Sequence, residues 1–337
     1  MKVRTILGIF MFLIICIGGT AWWYWQDMQH HMLTPLNIDT AVNYTIKPGM
    51  SLQAVSEELS SMGMLTKPYY LIFEAQRKDR TRQIKAGEYY ILPGTTPLQL
   101  LDQFIAGKVV QHSLVLLEGW SFTQLMMAVQ NSEHLIQTIE NMTGEQILTV
   151  LDCPWTHPEG IFFPDTYHFP TGTTDLDFLQ RACDMLQQVL IEEWQQRVEG
   201  LPYQSPYEAL IMASIIEKET GLSEERGKIA GIFVRRLQRG MKLQTDPTII
   251  YAMRETFDGD IRRKDLDVDS PYNTYLYKGL PPTPIALAGT EAIHAALHPE
   301  DGSSLYFVAK GDGSHYFSDT LKEHNKAVAK YQLGKRE

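Results

Sequence analysis

The sequence predicts an α+β protein carried by one N-terminal membrane helix. Three observations lead there. An uncharged run of 21 residues, Thr5 to Trp25, stands near the start of the chain. Short alternating segments follow, each leading into a glycine turn and a capped helix. Beyond them, helices with apolar residues at three- and four-residue spacing dominate, and a strand pair around a glycine turn comes near the end. The 337 residues allow two domains, and a composition 44% hydrophobic and 21% charged excludes whole-chain disorder. The net charge of −10 argues against a nucleic-acid binder, which carries a basic face.

The first element is a membrane span over residues 5–25. At 1.5 Å per residue it reaches about 31 Å, one hydrocarbon core. Lys2 and Arg4 in the tail 1–4 precede it and Asp27 follows it, so the N-terminus is expected in the cytoplasm and the rest of the chain outside. Trp22, Trp23, Tyr24 and Trp25 form an aromatic girdle. A cleaved signal peptide is the alternative, but its apolar core is shorter and this run continues past Gly19 and Ala21. Residues 26–40 read as a polar linker. No later segment is long and apolar enough to span a membrane. An extracytoplasmic site makes nucleotide cofactors unexpected, and no phosphate-binding glycine loop occurs. We expect no cofactor and no nucleic-acid partner.

Next comes a strand at Val42–Ile46, a Pro48-Gly49 turn and a helix capped by Ser51. The pattern recurs at Tyr89–Leu92, Pro93-Gly94 and a helix opened by Thr96, Pro97 and Gln99. A weaker third copy runs from Val115 through Gly119 into a helix after Ser121. Residues 130–151 read as helical and partly polar. Asp175 to Val198 is a long amphipathic helix with Phe178, Ala182, Met185, Leu186 and Val189 on one face. Helices at Pro206–Glu219, with Ser205 and Glu208 as a capping box, and at Glu225–Arg239 follow. Leu305–Val308 and His315–Phe317 flank the Gly311-Asp312-Gly313 turn of a hairpin.

The strongest chemical feature is the helix end at Glu217. From Ala209 to Ile216 only Ser214 is polar, so this helix is buried on all faces. An apolar setting and the negative end of the helix dipole both disfavour ionisation of Glu217. A carboxyl kept protonated near neutral pH suits proton donation to a glycosidic oxygen. The alternative is an exposed charge cluster of Glu217, Lys218 and Glu219, which describes Glu219 better. Lys242–Thr248 groups Gln244, Thr245 and Asp246 as a binding loop, or as a helix start with Asp246 as cap and Pro247 first. Ser270–Tyr275 sets Tyr272 and Tyr275 beside Asn273, a combination suited to sugar rings and hydroxyls, or an ordinary turn. Arg235, Arg236 and Arg239 are placed to meet carboxylates of an anionic substrate, or simply sit where a helix C-terminus favours cations. His315, Glu323 and His324 lack tight ligand spacing, so no metal site is expected. The three cysteines are too few for a disulfide scaffold, and whether Cys153 pairs with Cys183 stays open.

Six segments in order resemble the MltG (YceG-like) endolytic murein transglycosylases. They are Glu159-Gly160 with Phe163–Tyr167, Ala213–Thr220, Leu243–Thr248, Ser270–Tyr275, Gly279–Ile285, and His315–Ser318 with Glu323–Asn325. The resemblance implies a LysM-like peptidoglycan-binding subdomain over residues 41–112 and a YceG-like catalytic domain over 113–337. It implies cleavage of the bond between N-acetylmuramic acid and N-acetylglucosamine within glycan strands, leaving 1,6-anhydro ends. It places the essential glutamate on Glu217, with Gln244, Asp246, Tyr272, Asn273 and Tyr275 as substrate-binding residues. It also implies the inner membrane as the location and penicillin-binding and elongation proteins as partners. A water-using muramidase, with Asp246 or Glu219 as second carboxylate, and a non-catalytic glycan-binding scaffold are the rival readings.

Overall fold

The computed structural model describes residues 2–334 and divides into two compact units, Met1–His112 with Phe169–Gly172, and Ser113–His168 with Thr173–Glu337. Met1 of the expected tail and the last three residues of the expected catalytic domain lie outside the described residues. The architecture is mixed α and β, as expected, with twelve helices and three two-stranded sheets among the described residues.

The first unit opens with α1 (Lys2–Leu33). From Ile6 to Trp25 its large apolar side chains are exposed, and it is long and apolar enough to cross a membrane. The helix does not stop at the girdle, so the expected polar linker is helical as far as Leu33. Met28 and Met32, one helical turn apart, are buried together with Leu36 in the core of this unit. Asp27 pairs with Lys67 at 2.6 Å and accepts a hydrogen bond from Tyr70. Met28 and Met32 are the apolar side chains that this helical extension buries, a pattern that average composition conceals.

β1 (Val42–Ile46) pairs antiparallel with β2 (Gly87–Ile91), Tyr44 opposite Tyr89. Tyr44, Ile46, Tyr89 and Ile91 point into the core while Thr45 and Tyr90 point away, the period-two pattern of a half-buried sheet. Two helices, α2 (Leu52–Ser61) and α3 (Pro68–Arg77), lie between these strands in sequence. α4 (Pro97–Ala106) follows, with Thr96 and Gln99 in a reciprocal capping box. α3 escaped the sequence reading because its N-cap, Lys67, makes no side-chain cap. The strand–turn–capped helix pattern occurs a third time, where β3 (Gln111–Val115) leads to α5 (Phe122–Gln130). β3, however, pairs with β4 (Thr166–Pro170), so the third copy does not join the first sheet.

In the second unit the expected helix over 130–151 is reduced to the end of α5 and the short α6 (Gly144–Val150). The polar residues between them bind the buried Asp175 carboxylate, which accepts the N–H groups of Thr138 at 2.9 Å and Ile139 at 3.2 Å. α7 (Asp175–Gln196) buries Phe178, Ala182, Leu186 and Leu190, whereas Met185 is exposed. Cys183 of α7 forms a disulfide with Cys153, which settles the open pairing and closes a loop worth about 3–4 kcal/mol on the chain-entropy model.

α8 (Pro206–Glu219) is the hub of this unit, packed against α7, α9 (Ser223–Gln238), α10 (Asp246–Met253) and α11 (Thr290–Leu297). All residues from Ala209 to Ile216 are buried. Ser214, the single polar one, donates to the Ile211 carbonyl at 2.7 Å and accepts from the Ile285 N–H at 3.0 Å, so neither group is left unpaired. β5 (Tyr306–Ala309) and β6 (His315–Ser318) form the expected hairpin, followed by α12 (Leu321–Tyr331).

Candidate active site

α8 delivers two carboxylates to different places, because residues two apart on a helix point about 200° apart. The Glu217 side chain is 6% exposed. It accepts the Gly289 N–H at 3.0 Å, just before α11, and stands 3.4 Å from the Arg226 guanidinium of α9. Arg226 also pairs with Glu291. Burial raises the Glu217 pKa, the Gly289 N–H lowers it, and the charge of Glu118 raises it again, for a net upward shift. The expected raised pKa is therefore found, but in a network that ties α8 to α9 and α11. Lys218 is exposed and donates to the Gly119 carbonyl at 3.2 Å.

Glu219 faces a cavity of about 440 Å³, lined also by Gln244, Asp246, Tyr275, Arg236 and His315. Glu217 is not among its lining residues. Burial pushes the Glu219 carboxyl up to about 7, the Thr245 hydroxyl that donates to it acts the other way, and the neighbouring Asp246 charge pushes it further up. Glu217 and Glu219 are thus both shifted upward, and of the two only Glu219 lines this cavity.

The two polar loops read separately from the sequence meet here. The Gln244 N–H donates to the Thr274 carbonyl at 3.2 Å, the Thr245 N–H to the Thr274 hydroxyl at 3.1 Å, and Lys242 Nζ to the Tyr275 carbonyl at 2.9 Å. Gln244 is held at φ 52°, a left-handed conformation uncommon for a non-glycine residue. The Tyr275 hydroxyl donates to Asp246 at 2.6 Å. Asp246 is not the cap of α10, as one reading had it, since Thr245 holds that position and Asp246 and Pro247 open the helix.

Two expected ligands are placed elsewhere. Tyr272 shares a hydrogen bond of 2.9 Å with the Thr283 hydroxyl, packs its ring 4.7 Å from that of Tyr251, and is not among the cavity's lining residues. Asn273 is fully buried, and its amide is spent inside its own loop. Its nitrogen donates to the carbonyls of Leu266 and Val268 at 3.0 and 2.8 Å, and its oxygen accepts the N–H groups of Tyr275 and Leu276 at 2.9 and 3.3 Å. Its task is to shape the loop that presents Tyr275. Asn273→Ala is therefore expected to cost about 3 kcal/mol of stability, read from the denaturant midpoint, through four lost partners. A rise in KM at unchanged stability would contradict that placement.

The cavity also holds Arg236, read from the sequence as an arginine for an anionic substrate or a helix-end cation, and His315 and His324, read there only as residues lacking metal-ligand spacing. Arg236 donates to the Leu305 carbonyl at 2.7 Å and the Leu243 carbonyl at 2.8 Å, and its guanidinium sits 5.0 Å from the Tyr306 ring centroid. His315 is held by Glu225 at 2.6 Å, and His324 stacks on Tyr306. Their signal was present in the hairpin and the last helix but carried no spacing that marks a site. Glu159 was missed as well. It is buried, accepts from the Phe122 N–H at 2.7 Å and the Tyr251 hydroxyl at 3.2 Å, and burial pushes it up to about 7. It lines a separate, smaller pocket with His157 and Arg254.

A model of the YceG-like family matches residues 44–330. The chain is 33% identical to the endolytic murein transglycosylase of Bacillus subtilis, over 96% of this chain and 93% of that protein. It is 24% identical to the endolytic murein transglycosylase of Streptococcus pneumoniae D39, over 97% of this chain and 65% of that longer protein. The crystal structure of a YceG-like protein from Listeria monocytogenes aligns with a TM-score of 0.55 at 30% identity, over 86% of this chain and 99% of that one.

Proposed function

Because the chain belongs to the YceG-like family, we propose that it is an endolytic murein transglycosylase whose acid and base is Glu219 rather than Glu217. The observation that carries this is the Glu219 carboxyl, pushed up to about 7 at the edge of a cavity that also holds Gln244, Asp246 and Tyr275. Protonated Glu219 donates to the glycosidic oxygen between muramic acid and glucosamine, and an oxocarbenium-like centre develops at C1. The resulting carboxylate then takes the proton of the muramic acid C6 hydroxyl as that oxygen attacks C1. The proton lost in the first step is regained in the second, and the product end is a 1,6-anhydro sugar. The nucleophile belongs to the substrate, so one protein carboxyl suffices, unlike the usual two-carboxylate glycosidases. Gln244 and Tyr275 offer an amide and an aromatic face to the glycan.

The finer parts of this reading rest on sequence logic and element order. Lys2, Arg4 and the apolar α1 support a single-pass anchor in the inner membrane with the catalytic unit on the periplasmic side. The strand–helix–helix–strand order of the first unit supports a LysM-like module that holds peptidoglycan strands. In this position the enzyme ends growing strands beside penicillin-binding and elongation proteins.

Asp246 in the same cavity favours one rival, a hydrolase that uses it as second carboxylate. Digestion of purified sacculi by the full-length protein in detergent, with mass analysis of the products, separates the readings. We expect anhydro ends. Reducing muramic acid ends, heavier by one water, overturn the lyase in favour of the hydrolase, and an absence of cutting overturns both in favour of the scaffold.

A further inference from the structure

We propose that Glu193, His294 and His298 form a binding site for a divalent transition-metal ion of the Zn²⁺ type. The site lies in the second unit, outside the cavity, and goes beyond the transglycosylase reading. His294 lies in the last turn of α11, and His298, four residues on, is the cap just past its end. Their rings stack with centroids 4.3 Å apart at 21°. Glu193 comes from the last turn of α7. Its Oε2 stands 2.9 Å from His294 Nδ1 and 3.8 Å from His298 Nε2, and the three ligand atoms all lie within 4.8 Å of one another.

Two imidazoles and one carboxylate are the donor set of three-ligand zinc sites. Around a tetrahedral ion with bonds of about 2.0–2.1 Å, neighbouring donors stand about 3.4 Å apart. The observed 2.9 and 3.8 Å bracket that spacing, so an ion enters by side-chain adjustment alone. With His294 carrying its proton on Nε2 and His298 on Nδ1, the facing nitrogens and Oε2 each donate a lone pair, and water fills the fourth position. His294, with a side chain 58% exposed, leaves an open approach, while His298 and Glu193 are mostly covered.

Two features hold the ligands in place. The Val198 N–H just beyond α7 donates to the Leu297 carbonyl at 3.2 Å, which fixes the ends of α7 and α11 against each other. The two histidines stand at the C-terminal end of α11, the negative end of the helix dipole, a setting that favours a cation. A bound ion thus clamps α7 to α11, the helix that packs most extensively on α8.

The test is equilibrium dialysis of the untagged full-length protein in detergent against Zn²⁺, with quantification of retained metal, together with thermal unfolding. We expect one ion per chain and a melting temperature raised by several degrees at saturating Zn²⁺. His294→Ala and His298→Ala should each weaken binding by at least about tenfold and abolish the shift. Glu193→Gln, which conserves volume and the helix, should do the same and guards against a folding defect. Zn²⁺ retention that these substitutions leave unchanged, or no retention by the wild type, overturns the proposal and reduces the cluster to an ion pair between two helices. Sacculus digestion is not the readout, so failure of this site leaves the transglycosylase reading untouched.

Discussion

The Glu219→Gln protein is expected to cut glycan strands about 10²–10⁴-fold more slowly than wild type, while Glu217→Gln stays within about tenfold. A glutamine at 219 keeps the volume and the hydrogen bond from Thr245 but has no acidic proton to donate. A glutamine at 217 still offers an oxygen to the Gly289 N–H, so the tie between α8 and α11 survives. Initial rates of soluble product release from sacculi check this pair, and the opposite ranking would return the reaction to Glu217.

The same substitution carries a pH signature. The folded Glu219 carboxyl titrates near 7, above its ordinary value of 4.5. Between those values the folded state binds more protons than the unfolded one, so this group's contribution to stability falls as pH rises from about 4.5 through 7. Above that window its ionisation costs up to about 3 kcal/mol, and Glu219→Gln removes the cost. We expect equal stability of variant and wild type near pH 4 and a more stable variant near pH 8, read from denaturant midpoints. Glu159 is raised in the same way, so part of the slope remains in the variant. Activity of the wild type should fall on the alkaline side of 7 as the donor loses its proton.

Gly160→Ala is expected to destabilise the protein by about 3–5 kcal/mol, the larger part from collision. Gly160 sits at φ 75°, and a Cβ there would stand 2.3 Å from Pro284 Cβ and 2.9 Å from the Ala286 carbonyl oxygen. A proline ring and a backbone carbonyl have no room to swing aside. Gly200 supplies the comparison, because its φ of 78° is similar but a Cβ there meets nothing within 4 Å. Gly200→Ala should cost only about 1 kcal/mol. The difference in melting temperature between the two variants measures the close approach, and equal shifts would exclude it. The turn at Gly160 positions Glu159, and the Pro284 segment carries the Ile285 N–H that Ser214 receives. This explains mechanically why Glu159-Gly160 and Pro284-Ile285 stand in one set of motifs.

Much of the second unit was legible. An eight-residue apolar run with one serine, opened by Ser205 and Pro206, reads as a buried helix, and α8 is that helix. Ser51, Thr96 and Ser121 each cap the helix they were expected to cap, because capping is settled within four residues. The hairpin near the end followed from its glycine turn. α3 lacked a cap signal, and the extension of α1 rested on Met28 and Met32, whose meaning depends on the core they enter.

The sequence by itself determined a membrane-length apolar helix, a buried helix ending in Glu217-Lys218-Glu219, two polar loops and the family they resemble. All of these are local patterns, fixed by spacing along the chain. Only the tertiary structure decided that Glu219 meets the Gln244 and Tyr275 loops while Glu217 turns to Arg226 and Gly289. The side of a helix end that lines a cavity is set by the segments packed around it. For the same reason Asn273, polar and aromatic-flanked like a ligand, proved to be the strut of its own loop: an amide's partners are chosen by which carbonyls and N–H groups the fold brings within 3 Å of it.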